Sequence, residues 1–231
     1  MIALDHVEKS HGVNRVLRGL TLAVPAGRIF GLLGPNGAGK TTTLNLILGF
    51  LRADAGTVRV GGFDPAAEPA RVRDLVAYLP ENVALYPELT GAENLAYLAA
   101  LGGRRLATNE LYQLLNRTGL AEEAHGRRVG TYSKGMRQRV ALAVALAKQA
   151  RVLLLDEPTT GLDPAAVQEL AKLLRSLAAD GAAVLLTTHD LWHLSLDCDE
   201  VGILRGGVLA DRFAAADLTA QQLAERYLAA G

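Results

Sequence analysis

Eight consecutive residues carry the first recognisable chemistry. Gly34-Pro35-Asn36-Gly37-Ala38-Gly39-Lys40-Thr41 match G-x-x-x-x-G-K-[ST] in full, between an apolar run (Ile29–Leu33) and a helical one (Thr42–Leu48). Glycines in this pattern let the backbone curl until successive N–H groups point at one oxyanion. The N-terminus of the helix that follows adds its partial positive charge. Lys40 is placed to neutralise β- and γ-phosphates, and Thr41 offers a hydroxyl to Mg²⁺. These eight residues and Thr42 form the candidate phosphate-binding set.

A second constellation lies over a hundred residues on. Val152-Leu-Leu-Leu-Asp156-Glu157-Pro158 reads as a buried strand ending in two adjacent acids. In a parallel sheet that ending puts both carboxylates at the carboxyl edge, where ligands bind. Asp156 is expected to hold Mg²⁺ through water, and Glu157 to orient and deprotonate an attacking water.

The elements that must position these residues follow from pattern and punctuation. Strands are predicted at 2–7, 16–24, 28–33, 57–60, 75–78, 152–155, 183–188, 200–204 and 208–211. Several are continuously apolar, as expected of parallel strands buried on both faces. Helices are predicted to start near Lys40, Gly91, Asn109, Lys134, Pro164, Leu191 and Ala220, the last with Leu218, Leu223, Tyr227 and Leu228 on one face. Pro164 behind Asp163 is a start signal, because proline lacks an N–H that would be orphaned there. Thr90-Gly-Ala-Glu93 has capping-box spacing. Residues 84–149 contain no convincing strand and read as an all-helical insert between α/β portions at 25–83 and 150–205.

Composition narrows the class. The chain has 231 residues, half of them apolar, with 24 basic and 24 acidic side chains for a formal charge of zero. That suits one globular domain and gives no basic excess for nucleic acid. One cysteine, Cys198, excludes an intrachain disulfide and a Cys-based metal cluster. Apolar stretches such as 141–147 and 152–155 fall well short of the roughly 18 residues of a membrane span. The N-terminus has no basic flank or small-residue cleavage site, so no signal peptide is expected.

With these motifs in order, the chain resembles the ATP-binding subunit of ABC transporters from its first strand to about Asp211. The resemblance rests on 34–41, Leu79-Pro80-Glu81, Tyr132-Ser-Lys-Gly-Met136 with Arg137-Gln138-Arg139, Leu155-Asp-Glu-Pro158, Gly161-Leu-Asp163-Pro and Thr188-His189-Asp190. It implies an α/β fold: a P-loop NTPase (ABC ATPase) core with a small antiparallel β subdomain and an inserted all-helical subdomain. One domain would span 1–231, with 1–83 and 150–231 as core and 84–149 as helical subdomain. It also implies ATP and Mg²⁺ as ligands. His189 would sense the γ-phosphate. Ser133 and Gly135, at the start of a helix with Met136, Val140, Val144 and Ala147 on one face, would touch the γ-phosphate held by a second cassette. Two cassettes, identical copies in the simplest case, would form a head-to-tail dimer with Asp163 linking the shared sites. A separate multi-span membrane permease would be the partner, and the chain would sit peripherally on the cytoplasmic face of the membrane.

This sequence departs from the family pattern in four places. Lys134 and Met136 replace a glycine and a glutamine of the signature. Glu81 stands where Gln is usual; a carboxylate can bind Mg²⁺ but has no N–H to donate. His11 stands where an aromatic usually stacks on adenine, and imidazole stacks with less area. The glutamate-containing segment that precedes the signature in large multidrug exporters is replaced by Gly126-Arg-Arg-Val-Gly130. The combination of 78–82 with 131–139 is most similar to the ABC-2 exporter branch. The run 78–90 also resembles the ATPase that helps mature the copper sites of nitrous oxide reductase.

Other features read more plainly. His189 and His193 have the i,i+4 spacing of a zinc helix, but no third ligand is evident. Cys198, flanked by Asp197 and Asp199, suits a structural rather than a nucleophilic role. Arg71, Arg73, Arg104, Arg105, Arg127 and Arg128 read as solvated surface. The leading function is an ATPase that drives a membrane exporter, with 81–93 (Val83, Leu85, Tyr86 and Leu89) as the docking groove; ordinary packing is the alternative reading of those apolar side chains. The rivals are a soluble ATP-gated assembly module and a nucleic-acid clamp, the latter disfavoured by the charge balance.

Overall fold

A computed structural model describes residues 1–190, 198–215 and 219–229. Among the described residues nine strands form two sheets. The antiparallel sheet has the order β2–β1–β4 (Asn14–Val24, Ile2–His11, Ala55–Val60). The larger sheet has the order β5–β6–β7–β3–β8–β9 (Val76–Leu79, Val152–Asp156, Ala183–Thr188, Ile29–Leu33, Glu200–Arg205, Val208–Ala214). Strands β5 to β8 in that order run parallel, and β9 returns antiparallel on β8. The strands therefore deliver their carboxyl ends to one edge.

Alternation along β6 divides the interior. Val152 and Leu154 join Phe30, Leu32 and Leu185 in a core shared with Ile2, Leu4, Leu20 and Leu22 of the small sheet and with helix α1 (Lys40–Ile47). Leu153 and Leu155 face the other way, with Ile29, Leu33, Val184 and Leu186, onto α6 (Lys134–Ala147) and α7 (Pro164–Ala179). A strand buried on both faces must be apolar throughout, which is why its first polar residue, Asp156, falls where the sheet opens.

Helices α3 (Gly91–Leu101), α4 (Thr108–Arg117), α5 (Glu122–His125) and α6 enclose a third core around Leu95, Leu115, Leu120 and Val140. Helix α6 serves two cores at once: Leu142 and Ala145 pack toward the sheet, Val140, Ala143 and Ala147 toward the helices. The Thr90 capping box is present in full, with Glu93 N–H donating to Thr90 Oγ1 and Thr90 N–H to Glu93. Asp163 caps α7 through Ala166 N–H at 2.9 Å, with Pro164 in the first turn.

Several boundaries differ from the sequence reading. Two helices were not anticipated, α2 (Pro69–Leu75) and the single turn α5. Leu75 ends α2 rather than opening β5, because Pro69 starts a helix that runs straight into the strand. On the last helix, α8 (Ala220–Ala229), Leu223 is buried and Tyr227 packs on the sheet's core, but Leu228 points into solvent. The helix expected near Leu191, together with His193 and Leu218, lies outside the described residues. Among the described residues no helix is long and apolar enough to cross a membrane.

Candidate functional site

The loop after β3 closes around its own lysine. Gly39 takes φ +110° as the residue before α1, and a Cβ there would stand 2.7 Å from Leu17 Cδ2. A Cβ on Gly34 would come within 2.5 Å of the Leu204 carbonyl oxygen. Only glycine fits either place. Within this turn Lys40 Nζ donates to the Gly34 carbonyl at 2.6 Å and lies 3.3 Å from Glu157 Oε1.

Glu157 is the point of convergence. It is buried, takes φ +48°, and its second oxygen lies 2.9 Å from His189 Nδ1 and 3.3 Å from the His189 N–H. A non-glycine residue in the left-handed region costs about 1–3 kcal/mol, so its neighbours must hold it there. The backbone N–H of Glu157 donates to the Thr187 carbonyl at 3.1 Å, and its carboxylate is anchored at both oxygens. The turn swings that carboxylate off the strand line and toward the loop.

Asp156 is held by hydroxyls. Thr187 Oγ1 donates to Oδ1 at 2.5 Å, and Tyr78 Oη stands 3.5 Å from Oδ2. Burial, aided by the negative charge of Asp156, pushes the Tyr78 phenol up to about 12, so it stays protonated as a donor.

One cleft of about 340 Å³ gathers much of this. Its walls are Asn14, Val16, Pro35, Asn36, Gly37, Gly39, Lys40, Thr41, Thr42, Glu81, Asp156 and Glu157. Gly34 and Ala38 complete the loop, and His189 reaches the cleft through Glu157. The oxygen donors of Thr41, Glu81 and Asp156 share this cleft and suit a hard cation. Among the described residues no group of three His, Cys, Asp or Glu forms a metal cage. Mg²⁺ takes one or two carboxylates and completes its shell from substrate phosphates and water.

Four expected residues lie elsewhere. His11 is exposed at the tip of the β1–β2 hairpin opposite Asn14, and the cleft wall is made by Asn14 and Val16 instead. Ser133 caps α6, its Oγ accepting from Met136 N–H at 3.3 Å, and is open to solvent. Gly135 packs 3.4 Å (at a Cβ position) from Leu162, beside the exposed Asp163. The start of α6 and the loop 158–163 thus form one unit outside the cleft.

Sequence reasoning missed three side chains. Thr187 bonds Asp156; Gln138 Nε2, buried, donates to the Pro158 carbonyl at 2.8 Å; and Asn94, buried, fixes the loop before α3. Asn94 accepts from Tyr86 N–H at 2.8 Å and donates to the carbonyls of Tyr86, Leu89 and Thr90. A polar residue on the apolar face of a predicted helix was the available signal.

The ABC transporter family profile matches residues 17–160. The daunorubicin resistance ATP-binding protein DrrA3 of Streptomyces coeruleorubidus is 39% identical over 227 residues, 97% of this chain and 72% of its own length. The chain belongs to the ABC transporter family. The Nod factor export ATP-binding protein I of Paraburkholderia xenovorans is 42% identical over 209 residues, 89% of this chain and 68% of its own. The dimeric post-hydrolysis structure of the ATP-binding cassette MJ0796, bound to ADP and Pi, superposes with a TM-score of 0.81 at 26% identity. That match covers 93% of this chain and 99% of the other. The protein is thus an ABC ATPase, with a P-loop NTPase core, an antiparallel β sheet packed on it and helices beside it.

Proposed function

We propose that this ABC ATPase powers an ABC-2 type membrane exporter by ATP-driven closure of a cassette dimer. The observation that carries the chemistry is the meeting of Lys40, His189 and Glu157 at 3.3 and 2.9 Å beside the phosphate loop. The export assignment is supported by likeness to the daunorubicin-resistance and Nod factor export proteins.

In this reading the loop N–H groups of 34–42 cradle the phosphates, and Lys40 moves from Glu157 to the β- and γ-phosphates. Thr41 and Asp156, with Glu81 alongside, would hold Mg²⁺, which would supply positive charge to offset that developing on the phosphoryl oxygens. Release from Lys40 frees Glu157 to accept a proton from the attacking water while His189 hydrogen-bonds the γ-phosphate. His11 and its hairpin contact adenine. Ser133, Gly135 and the start of α6 face the γ-phosphate of a second, head-to-tail cassette, and Asp163 links the two sites. The solvent-open helix start suits that role, since its free N–H groups favour an anion.

The domain reading assigns 1–83 and 150–231 to the catalytic core and 84–149 to the helical subdomain, supported by the separate apolar cluster of α3–α6. A separate multi-span permease would dock along 81–93 at the cytoplasmic face of the membrane. Exposed Tyr86, edge-on to exposed Tyr97 at 5.0 Å, is the anchor offered there, with Val83, Leu85 and Leu89 half-buried in the same segment. The test is to express tagged Glu157→Gln in the native host, trap it with Mg-ATP and identify what co-purifies from solubilised membranes. A multi-span protein supports the exporter reading; a soluble partner alone overturns it.

A further inference from the structure

Thr187 is fully buried at the end of β7, directly opposite Asp156 in the sheet register. Its hydroxyl has one hydrogen, and the 2.5 Å contact with a carboxylate oxygen takes it. The 3.3 Å approach of the Glu157 N–H to the same oxygen is therefore as acceptor. One side chain thus touches both acids, fixing the carboxylate of Asp156 and the strained backbone turn of Glu157. On the other flank β5 presents Tyr78 to the second Asp156 oxygen, so each oxygen faces a hydroxyl from a different neighbouring strand. Packing alone would be served as well by valine, which is β-branched and has no hydroxyl needing a partner in a buried strand.

We propose that Thr187 is a positioning residue for hydrolysis: its hydroxyl sets the Asp156 carboxylate so that the remaining lone pairs face the cleft that Thr41 lines. The inference rests on the reading of Asp156 as a magnesium-holding residue. A carboxylate without this donor swings between rotamers, and the ion it helps hold is bound more weakly. The backbone bond from Glu157 N–H to the Thr187 carbonyl survives a side-chain change, so the fold around the turn is kept.

The test titrates Mn²⁺ into the chain bound to a non-hydrolysable ATP analogue, following free ion by electron paramagnetic resonance, alongside ATPase kinetics. Thr187→Val should weaken Mn²⁺ binding about tenfold and lower kcat with little change in KM for ATP, while Thr187→Ser restores both. If the valine chain melts well below the parent, Thr187→Cys, similar in size and a poor donor, takes its place. Asp156→Asn is measured in parallel. Normal Mn²⁺ binding by Thr187→Val or Thr187→Cys beside a weakened Asp156→Asn overturns the role of Thr187 and leaves that of Asp156 standing. Normal binding by Asp156→Asn removes the metal reading and the inference with it.

Discussion

The side-chain amide of Gln138 donates to the carbonyl oxygen of Pro158 at 2.8 Å, one residue beyond Glu157. Helix α6, which Ser133 caps, is therefore bonded near its start to the segment that carries the acid. Both groups are buried, so neither has water to fall back on. Movement of the helical layer must be felt at Glu157, or this bond must break.

Gln138→Leu removes the donor and leaves a buried carbonyl without a partner. It should lower stability by about 1–3 kcal/mol, measured by urea unfolding, and depress turnover more than nucleotide affinity. A variant as stable as the parent would mean that the Pro158 carbonyl finds another donor.

Glu157→Gln keeps side-chain size and removes the base. Turnover should fall by about 10²–10⁴-fold, while Mg-ATP binding persists and an ATP-bound dimer accumulates on size exclusion. The neutral amide also releases Lys40 from its resting ion pair, so nucleotide affinity should not drop. Unimpaired hydrolysis would take Glu157 out of its role.

How much of this was legible from the residues varies with the kind of constraint. The phosphate loop and the acids of β6 could be read directly, because local backbone geometry demands Gly39 and a doubly buried strand demands 152–155. The capping box at Thr90 and the helix start behind Asp163 were legible for the same reason: each satisfies or spares N–H groups within three residues. Thr187, Gln138 and Asn94 were not, since their partners depend on sheet register and loop return; the Thr187–Asp156 bond spans 31 residues. Helix α5, one turn long, is too short to show a period and exists through packing in the helical core. The family pattern fixes only a position in the chain for His11; that Asn14 and Val16 of the same hairpin line the cleft depends on how the hairpin packs on the core.

Mixing two inactive chains tests whether sites are shared. Lys40→Ala damages the loop site, and Ser133→Arg damages the solvent-open start of α6, which lies outside the same chain's cleft. In a head-to-tail dimer one of the two composite sites in a mixed pair is intact, so part of the ATPase activity should return. No recovery from well-folded mixtures would count against the shared-site arrangement.

A carboxylate holds the far end of the loop-bearing strand. Asp199 accepts from the Ile29 N–H at 2.7 Å, from Arg28 at 3.1 Å and from Arg175 at 3.0 Å, pinning the start of β3 to the start of β8. Burial alone would raise its carboxyl, but the Ile29 N–H and the two guanidinium groups outweigh that and hold it below the usual range. A depressed folded value means that the stabilisation is present above the unfolded value, about 3.9, and is lost as pH falls through the folded one. Asp199→Asn should therefore cost about 2 kcal/mol at neutral pH and converge with the parent in acid. Urea unfolding from about pH 7 to pH 2 checks it. A difference that stays constant across that range would assign the loss to packing rather than to the charge of Asp199.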